Sequence, residues 1–363
     1  MNAITLALLS LIGGPLVAAA QTNSAAEYRL GSDAKSASSN VPGQSYPKID
    51  SERHAEFRLH APDTQKVQVD IGGHKYDMAK DEQGTWSVTT PPLVVGFHYY
   101  ALVVDGISMA DPDSETFFEV SKMMSGIEVP SPGEDFYYAK EVPHGDVREH
   151  WYYSHTNSAW RRCFVYTPPD YGNNPTARYP VVYLQHGAGE DERGWSTQGH
   201  VNFILDNLIA AGKARPMIVV MDNGGGSALF AGGGTRRGAA GVMGGTHSPS
   251  GTNRPAPAGG TNQPGRGGFG RGLFSGPAAL FGDTLIHEII PMIDSTYRTI
   301  PDREHRALAG LSMGGMQTRT IGLAHLDAFA NLGIFSGGTL GGLNATNTPL
   351  ATPELLPIRP VTV

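Results

Sequence analysis

Hydrophobic and polar residues alternate along the chain from about residue 51 to about residue 125. The segments AEFRLHA, KVQVDIG, TWSVTT and FHYYALVVDG carry β-branched or aromatic residues at every second position. That period is typical of strands with one buried face. Pairs such as Gly72-Gly73 and Asp105-Gly106 separate the segments, as turn residues do. The pattern predicts a small, immunoglobulin-like β-sandwich over residues 51–125.

The pattern changes at about residue 150 to short, continuous apolar runs that end in glycine or a polar turn. These runs are YPVVYLQHG, PMIVVMDNG, HRALAGLS and NLGIFSGG, and they suit strands that are buried on both faces of a parallel sheet. Helical patterns lie between them, in HVNFILDNLIAAGKA, DTLIHEIIPMIDSTYR and GGMQTRTIGLAHL. Alternating strands and helices predict a doubly wound α/β domain over residues 151–340, joined to the first domain by a connector over 126–150.

The remaining segments are poor in periodic patterns. Residues 1–20 are predicted to be a secretory signal, because 4–17 are almost wholly apolar and small alanines precede a possible cleavage site. Residues 21–50 are predicted to be a linker and 341–363 an irregular tail. Residues 224–276 hold 19 of the 47 glycines and predict a long mobile loop, either a solvated insertion or a lid over a site. We expect a secreted or periplasmic protein.

Charge, apolar runs and cysteine content argue against three classes of protein: nucleic-acid-binding proteins, membrane-spanning proteins and proteins with an intrachain disulfide. The net charge is −7 and no block of like charges occurs, so a nucleic-acid partner is not expected. No apolar run beyond the signal is long enough to cross a bilayer. The single cysteine, Cys163, cannot form an intrachain disulfide and is interpreted as a small apolar strand residue.

Ser312 lies in the pattern Gly310-Leu311-Ser312-Met313-Gly314. The pattern alone is weak in so glycine-rich a chain, but an apolar run precedes it and a helical pattern follows it. A serine on a sharp strand-to-helix turn is the nucleophile of α/β-hydrolases, and the next backbone N–H, here that of Met313, faces the oxyanion. We therefore predict that Ser312 is a nucleophile.

A second motif lies upstream, where the apolar run YLQ ends in His186-Gly187-Ala188-Gly189. The loop after such a strand supplies the other oxyanion N–H in α/β-hydrolases, and Ala188 is the candidate donor. His186 precedes Ser312, whereas the chain order in this fold is serine, acid, histidine. His186 is therefore expected to shape the loop.

Several segments resemble the feruloyl and acetylxylan esterases of carbohydrate esterase family 1, in the esterase D superfamily. They are GFHYYALVVDGISMADPDSE, VPHGDVREHWYYS, WRRCFVYTPPDY, YLQHGAGEDERGWSTQGH, NLIAAGKARPMIVVMDNG and LAGLSMGGMQT. The resemblance implies an α/β-hydrolase fold behind an early-set module similar to family 48 carbohydrate-binding modules. It also implies a Ser-Asp-His mechanism without metal or organic cofactor, and acylated plant polysaccharide as substrate. It assigns Ser312 as nucleophile and Met313 with Ala188 as oxyanion donors.

The chain departs from that family because the catalytic acid and the catalytic histidine are not found in its sequence. The residues after Ser312 include one histidine, His325, and two acids, Asp327 and Glu354. A straight helix puts His325 about 20 Å from the hydroxyl, whereas a general base must lie within about 3 Å or one water of it. Three explanations stay open: a truncated esterase without its last strands, a natural non-catalytic relative, or a histidine recruited from elsewhere in the chain.

Two functions of different classes follow. The first is a secreted serine esterase of feruloyl or acetylxylan type; the alternative is a non-catalytic glycan-binding protein on a hydrolase-like scaffold. Acyl transfer to an alcohol is a third possibility. Four aromatic residues of the predicted sandwich are interpreted either as core or as a sugar-stacking surface: Trp86, Phe97, Tyr99 and Tyr100.

Overall fold

A computed structural model describes residues 28–119, 122–225 and 277–337. The predicted signal over residues 1–20 and the predicted tail over 341–363 lie outside the described residues. So does nearly all of the predicted glycine-rich loop, from residue 226 to residue 276.

Two antiparallel sheets form the first part of the protein. Their strands are β1 Lys35–Ser36, β2 Lys48–Ile49, β3 Ala55–His60, β4 Val67–Ile71, β5 His74–Asp77, β6 Ala79–Lys80, β7 Thr85–Thr89, β8 Gly96–Val104, β9 Ile107–Met109, β10 Thr116–Glu119 and β11 Lys122–Val129. One sheet has the order β1-β2-β3-β7-β6, and the other has the order β10-β11-β8-β4-β5 with β9 beside β8. One hydrophobic cluster contains buried side chains of both sheets, such as Phe57 and Tyr100, whose rings lie 4.9 Å apart.

Three of the four aromatic residues that were candidates for sugar stacking pack within these sheets. Tyr100 is fully buried and Trp86 nearly so. Phe97 is half-buried, and its ring lies 4.9 Å from that of Phe117. Tyr99 is also half-buried and hydrogen-bonds to the second part of the chain. The identity of this region as a carbohydrate-binding module stays a prediction.

The boundaries of the predicted linker and connector need correction. Residues 28–50 contain β1 and β2, and the side chains of Ala37 and Ile49 are buried. The carboxylate of Asp50 accepts hydrogen bonds from the backbone N–H groups of Gly31 and His54, both at 2.9 Å. Two-residue strands are too short to produce a periodic pattern, which is why the sequence indicated a linker here. The connector also begins inside β11 rather than after it.

A single six-stranded sheet forms the second part. Its strands are β12 Asp146–Ser154, β13 Ala159–Thr167, β14 Val181–Gln185, β15 Ile218–Asp222, β16 Arg306–Leu311 and β17 Asn331–Phe335, in the order β12-β13-β15-β14-β16-β17. The first two strands are antiparallel to their neighbours, and β15, β14, β16 and β17 run parallel. The carboxyl ends of the parallel strands therefore meet at one edge of the sheet.

Helices cover both faces of this sheet, as the alternation of strands and helices predicts. They are α1 Val201–Ala210, α2 Pro277–Thr284, α3 Ile290–Thr296 and α4 Met313–Ala324, with a π-helical turn over Leu285–Ile289 between α2 and α3. One core cluster packs Tyr183 and Ile218 against Leu285 and Ile293, while a second packs Met221 on the other face near α1. Among the described residues, no helix combines the length and apolar character needed to cross a membrane.

Cys163 lies on β13 and is fully buried in the core. Burial raises the pKa of its thiol, and the nearby Asp222 carboxylate adds to this effect. A thiol that is hard to ionise and has no access to solvent is unreactive, in line with its interpretation as an apolar strand residue.

Candidate active site

Ser312 occupies the turn between β16 and α4, at the carboxyl edge of the parallel strands. Its backbone has φ 52° and ψ −106°, a conformation that non-glycine residues rarely adopt. Its N–H donates to the carbonyl of Phe335 at 2.8 Å, which ties the turn to the end of β17. The residue is exposed, although Met313 and Gly314 immediately after it are buried. The turn therefore presents the serine to solvent from a rigid base.

The two flanking glycines are required by close backbone contacts. A Cβ on Gly310 would lie 2.4 Å from the carbonyl carbon of Gly314, and a Cβ on Gly314 would lie 2.6 Å from the carbonyl oxygen of Gln185. Side-chain carbons essentially never come that close to backbone atoms. The glycine spacing around Ser312 thus has a steric cause, namely the packing of α4 against β16 and the end of β14.

The loop after β14 lies beside this turn. Gln185 is paired with Gly310 in the parallel register, so the residues that follow each of them run along the same edge. Ala188 is half-buried in this loop. Met313 is the first residue of α4, and the first N–H groups of a helix have no acceptor within the helix. Both predicted oxyanion donors therefore lie at the same sheet edge as Ser312.

His186 is buried, and its Nδ1 lies 2.7 Å from the carbonyl oxygen of Gly187. The next contact in the loop joins the Gly187 N–H to Glu190 Oε2 at 3.0 Å. The indole N–H of Trp195 donates to the carbonyl of Gln185 at 2.9 Å. These contacts hold the loop from within, and His186 contributes one of them; its role in shaping the loop stays a prediction.

Glu190 also connects this loop to the N-terminal sheets, a link that sequence reasoning missed. Its Oε1 accepts a hydrogen bond from the Tyr99 hydroxyl at 3.1 Å, and that hydroxyl accepts one from Gln198 Nε2 at 2.7 Å. Burial raises the pKa of Tyr99, and the charge of Glu190 raises it further. The Tyr99 phenol therefore stays protonated and donates its hydrogen bond to the Glu190 carboxylate.

A buried ion pair lies at the carboxyl end of β15. Asp222 is 1% exposed and accepts a hydrogen bond from Arg161 at 2.6 Å and one from the Tyr152 hydroxyl at 2.7 Å. Burial raises the pKa of Asp222 although Arg161 opposes this. Arg161 also donates to the carbonyl of Asn223. The pair fixes the end of the strand next to β14.

A second ion pair continues from that point toward solvent. Glu192 accepts a hydrogen bond from Arg162 at 2.5 Å and one from the Asn223 side chain at 2.9 Å. Burial opposes ionisation of Glu192, but these hydrogen bonds outweigh it and lower its pKa. In the sequence, Asp222 ends the apolar run of β15, and Arg161 and Arg162 begin that of β13.

Within the described residues, no hydrogen bond joins the Ser312 hydroxyl to an acid or a histidine. His325 follows the last residue of α4, at the end opposite Ser312, and Asp327 lies just beyond it. His144 is bound to Asp206 at 2.8 Å and to the carbonyl of Lys140 at 2.9 Å. Asp206 also accepts from Tyr166, which pairs with Val219 near the amino end of β15, far from the turn. His247 and Glu354 lie outside the described residues.

Ser312 and its two predicted backbone donors, Met313 and Ala188, lie at one edge of the sheet. Among the residues that the structure describes, no group of three or more His, Cys, Asp or Glu side chains is placed to hold a metal ion.

Comparisons with known proteins relate the chain to esterases. Residues 154–238 and 257–348 match the family model described as a putative esterase. An endo-1,4-beta-xylanase/feruloyl esterase of Xylanibacter ruminicola is 38% identical over 308 residues, which make up 83% of this chain and 37% of that protein. The chain thus spans little more than a third of the length of this relative.

A solved structure with a TM-score above 0.5 shows the same fold. Enterochelin esterase from Shigella flexneri superposes with a TM-score of 0.54 at 15% identity, over 80% of this chain and 73% of that one. A CE1 ferulic acid esterase from Anaeromyces mucronatus has a TM-score of 0.40 and 24% identity, and the match covers 55% of this chain and 61% of that one.

Proposed function

We propose that this chain, an esterase-family protein similar to the CE1 feruloyl esterases, is a serine carboxylic ester hydrolase that removes acyl groups from plant cell-wall polysaccharide. The observation that carries this proposal is the strained, exposed Ser312 on a turn packed against the loop of Ala188. Strain of this kind is held in place by the surrounding structure and is common at catalytic residues. The relative from Xylanibacter ruminicola, described as a xylanase and feruloyl esterase, supports the substrate class.

The chemistry would proceed through an acyl-enzyme. Ser312 Oγ loses its proton to a base and bonds to the ester carbonyl carbon, and the carbonyl electrons move to its oxygen. The N–H groups of Met313 and Ala188 stabilise that negative oxygen, and a single such donor is typically worth about 10²–10³ in rate. The sugar alkoxide leaves with a proton, and water then releases the acid and restores the serine.

The second candidate is a glycan-binding protein in which the hydrolase fold is a scaffold. The observation that favours it is that Ser312 Oγ has no hydrogen bond to a histidine within the described residues. An alkoxide does not form at neutral pH without a base. The two candidates therefore differ in whether the Ser312 hydroxyl is activated.

A fluorophosphonate probe distinguishes them, because it labels activated serines. We expect the probe to attach at Ser312, and we expect hydrolysis of methyl ferulate that the Ser312→Ala variant lacks. Ser295→Ala, on an exposed position of α3, is the matched control and should keep both properties. No labelling and no turnover in a chain with native circular dichroism would reject the esterase and leave the glycan-binding protein.

Export is part of the proposal and rests on the apolar segment over residues 4–17. Expression in a bacterial host followed by N-terminal sequencing of the periplasmic fraction tests it. We expect cleavage after Ala20, with Ala18 and Ala20 as the small residues before the cut. Retention of an uncleaved chain in the cytoplasm would contradict export without affecting the esterase assignment.

A further inference from the structure

Three exposed aromatic side chains lie on one face of the β12–β13 hairpin. Trp151, Tyr153 and Trp160 are 55%, 44% and 68% exposed. Tyr153 is directly opposite Trp160 in the antiparallel register, and their rings lie 5.7 Å apart at an interplanar angle of 79°. We refer to Trp151, Tyr153 and Trp160 as the hairpin patch. Exposed groups of large apolar side chains usually mark binding surfaces.

The hairpin patch stands on a rigid support. The opposite face of the hairpin carries Tyr152 and Cys163, which are buried in the core of the hydrolase domain. At the tip, the Thr156 N–H donates to Glu288 at 2.6 Å and the Asn157 side chain donates to Thr284 at 2.8 Å. A ligand that binds such a prearranged surface loses little affinity to the ordering of protein side chains.

The hairpin patch lies at the same edge of the sheet as the proposed nucleophile. β13 runs antiparallel to β15, and Cys163 is paired with Asp222, the last residue of β15. Trp160 therefore lies beyond the carboxyl end of β15. β13 and β16 are separated by β15 and β14, so their axes are about 14 Å apart at the usual strand spacing.

Charged side chains link the hairpin patch to that edge. The guanidinium of Arg162 lies 5.6 Å from the centre of the Trp151 ring, and it also binds Glu192, which holds Asn223 at the end of β15. Glu149 accepts a hydrogen bond from the indole N–H of Trp151 at 2.5 Å. Aromatic rings therefore alternate with charged hydrogen-bonding groups along this face.

This alternation matches the chemistry of a sugar polymer. A pyranose ring has a C–H face that packs on an aromatic ring and a rim of hydroxyl groups that need polar partners. The centre of a protein–protein interface is, by contrast, depleted of charged residues. We propose that the hairpin patch binds sugar units of the same polysaccharide chain whose ester reaches Ser312, a few units away from the acylated one. This inference rests on the proposed function for its choice of polysaccharide.

Binding is tested separately from catalysis, in the Ser312→Ala background. Affinity electrophoresis in gels that contain soluble arabinoxylan measures retardation of the chain. We expect the parent to be retarded and the variant with Trp151→Ala and Trp160→Ala to bind at least about fivefold more weakly, the scale of an aromatic stacking contact. Phe136→Ala removes an aromatic residue of similar exposure, 48%, outside the hairpin and should bind like the parent. Trp151→Phe with Trp160→Tyr should retain binding, which shows that loss in the alanine variant is not misfolding.

Turnover provides the second measurement. In the chain with Ser312 intact, the ratio of kcat/KM on feruloylated arabinoxylan to kcat/KM on methyl ferulate should fall in the alanine variant. If the Ser312→Ala chain is not retarded by arabinoxylan, the inference is overturned even if the chain with Ser312 intact hydrolyses methyl ferulate. If the Ser312→Ala chain is retarded but the chain with Ser312 intact hydrolyses no ester, the proposed esterase is rejected and the hairpin patch is retained. If sedimentation shows a dimer that the alanine variant dissociates, with unchanged retardation, the patch is an interface between copies and the inference is wrong.

Discussion

The Tyr99 hydroxyl donates a hydrogen bond to Glu190 Oε1 at 3.1 Å, across 91 residues of sequence. The other carboxylate oxygen of Glu190 accepts the N–H of Gly187 at 3.0 Å. A side chain of the N-terminal sheets thus supports the loop that carries Ala188. Arg193, further along the same loop, lies with its guanidinium 5.8 Å from the ring centre of Phe118. The N-terminal sheets are therefore part of the support of the proposed active site.

Removing the Tyr99 hydroxyl should impair catalysis more than substrate binding. The Tyr99→Phe variant leaves Glu190 and Gln198 each without one partner, and the loop of Ala188 becomes less well positioned. An oxyanion donor is worth about 10²–10³ in rate, so partial loss of its alignment should lower kcat on methyl ferulate by about threefold to tenfold, with a smaller change in KM. Tyr76→Phe, on β5, is the control and should behave as wild type. An equal kcat in both variants would show that Tyr99 does not position the loop.

The backbone strain at Ser312 predicts an unusual order of stability. Glycine adopts φ near 52° without a Cβ clash, whereas alanine retains the strain, which costs about 1–3 kcal/mol for a non-glycine residue. After the greater chain entropy of glycine is subtracted, Ser312→Gly should be more stable to urea than Ser312→Ala by about 1 kcal/mol. At Ser295, on the regular helix α3, the order should reverse. The same order at both positions would mean that the turn is unstrained.

The contact between α4 and the end of β14 predicts that Gly314 tolerates no side chain. A Cβ there would lie 2.6 Å from the Gln185 carbonyl oxygen and 2.7 Å from that of His186. We expect Gly314→Ala to lower the free energy of unfolding by about 2 kcal/mol or more and to move the Ala188 loop. In α2, the nearest atom to a Cβ on Gly282 would be 3.5 Å away, so Gly282→Ala should be neutral or stabilising by up to about 1 kcal/mol. Chemical denaturation measures both, and similar losses would contradict the packing argument.

Glu128 makes stability depend on pH. Burial raises its pKa from 4.5 to about 7, while a hydrogen bond with Tyr137 opposes the rise. The folded protein therefore favours the protonated acid, and this contribution is complete below about pH 4.5 and lost as pH rises through about 7. The thermal midpoint of the parent should fall as the pH rises over that window. The midpoint of Glu128→Gln should fall less over the same window. Glu134→Gln, at an exposed position, should keep the parental profile. Parallel profiles for the parent and Glu128→Gln would show that Glu128 is ionised in the folded state.

Sequence by itself determined the features that depend on near neighbours in the chain. The apolar runs of β14, β15 and β16 and the glycine spacing around Ser312 can be identified because strand burial and turn geometry are imposed over a few residues. For the same reason the two-residue strands β1 and β2 gave no signal. The sequence also indicated correctly that His325 lies at the far end of α4, since a helix has a fixed rise per residue.

Only the tertiary structure decided which distant side chains meet. Tyr99 reaches Glu190 across 91 residues and Arg161 reaches Asp222 across 61, and neither pair has a periodic signature. The sequence also did not indicate which side chains are exposed. Trp86 and Trp160 both lie in strand-forming segments, yet Trp86 is 7% exposed and Trp160 is 68% exposed. Which face of a strand is covered depends on the elements that pack on it. Local patterns set the strands, whereas contacts between elements set the support of Ser312 and the surface beside it.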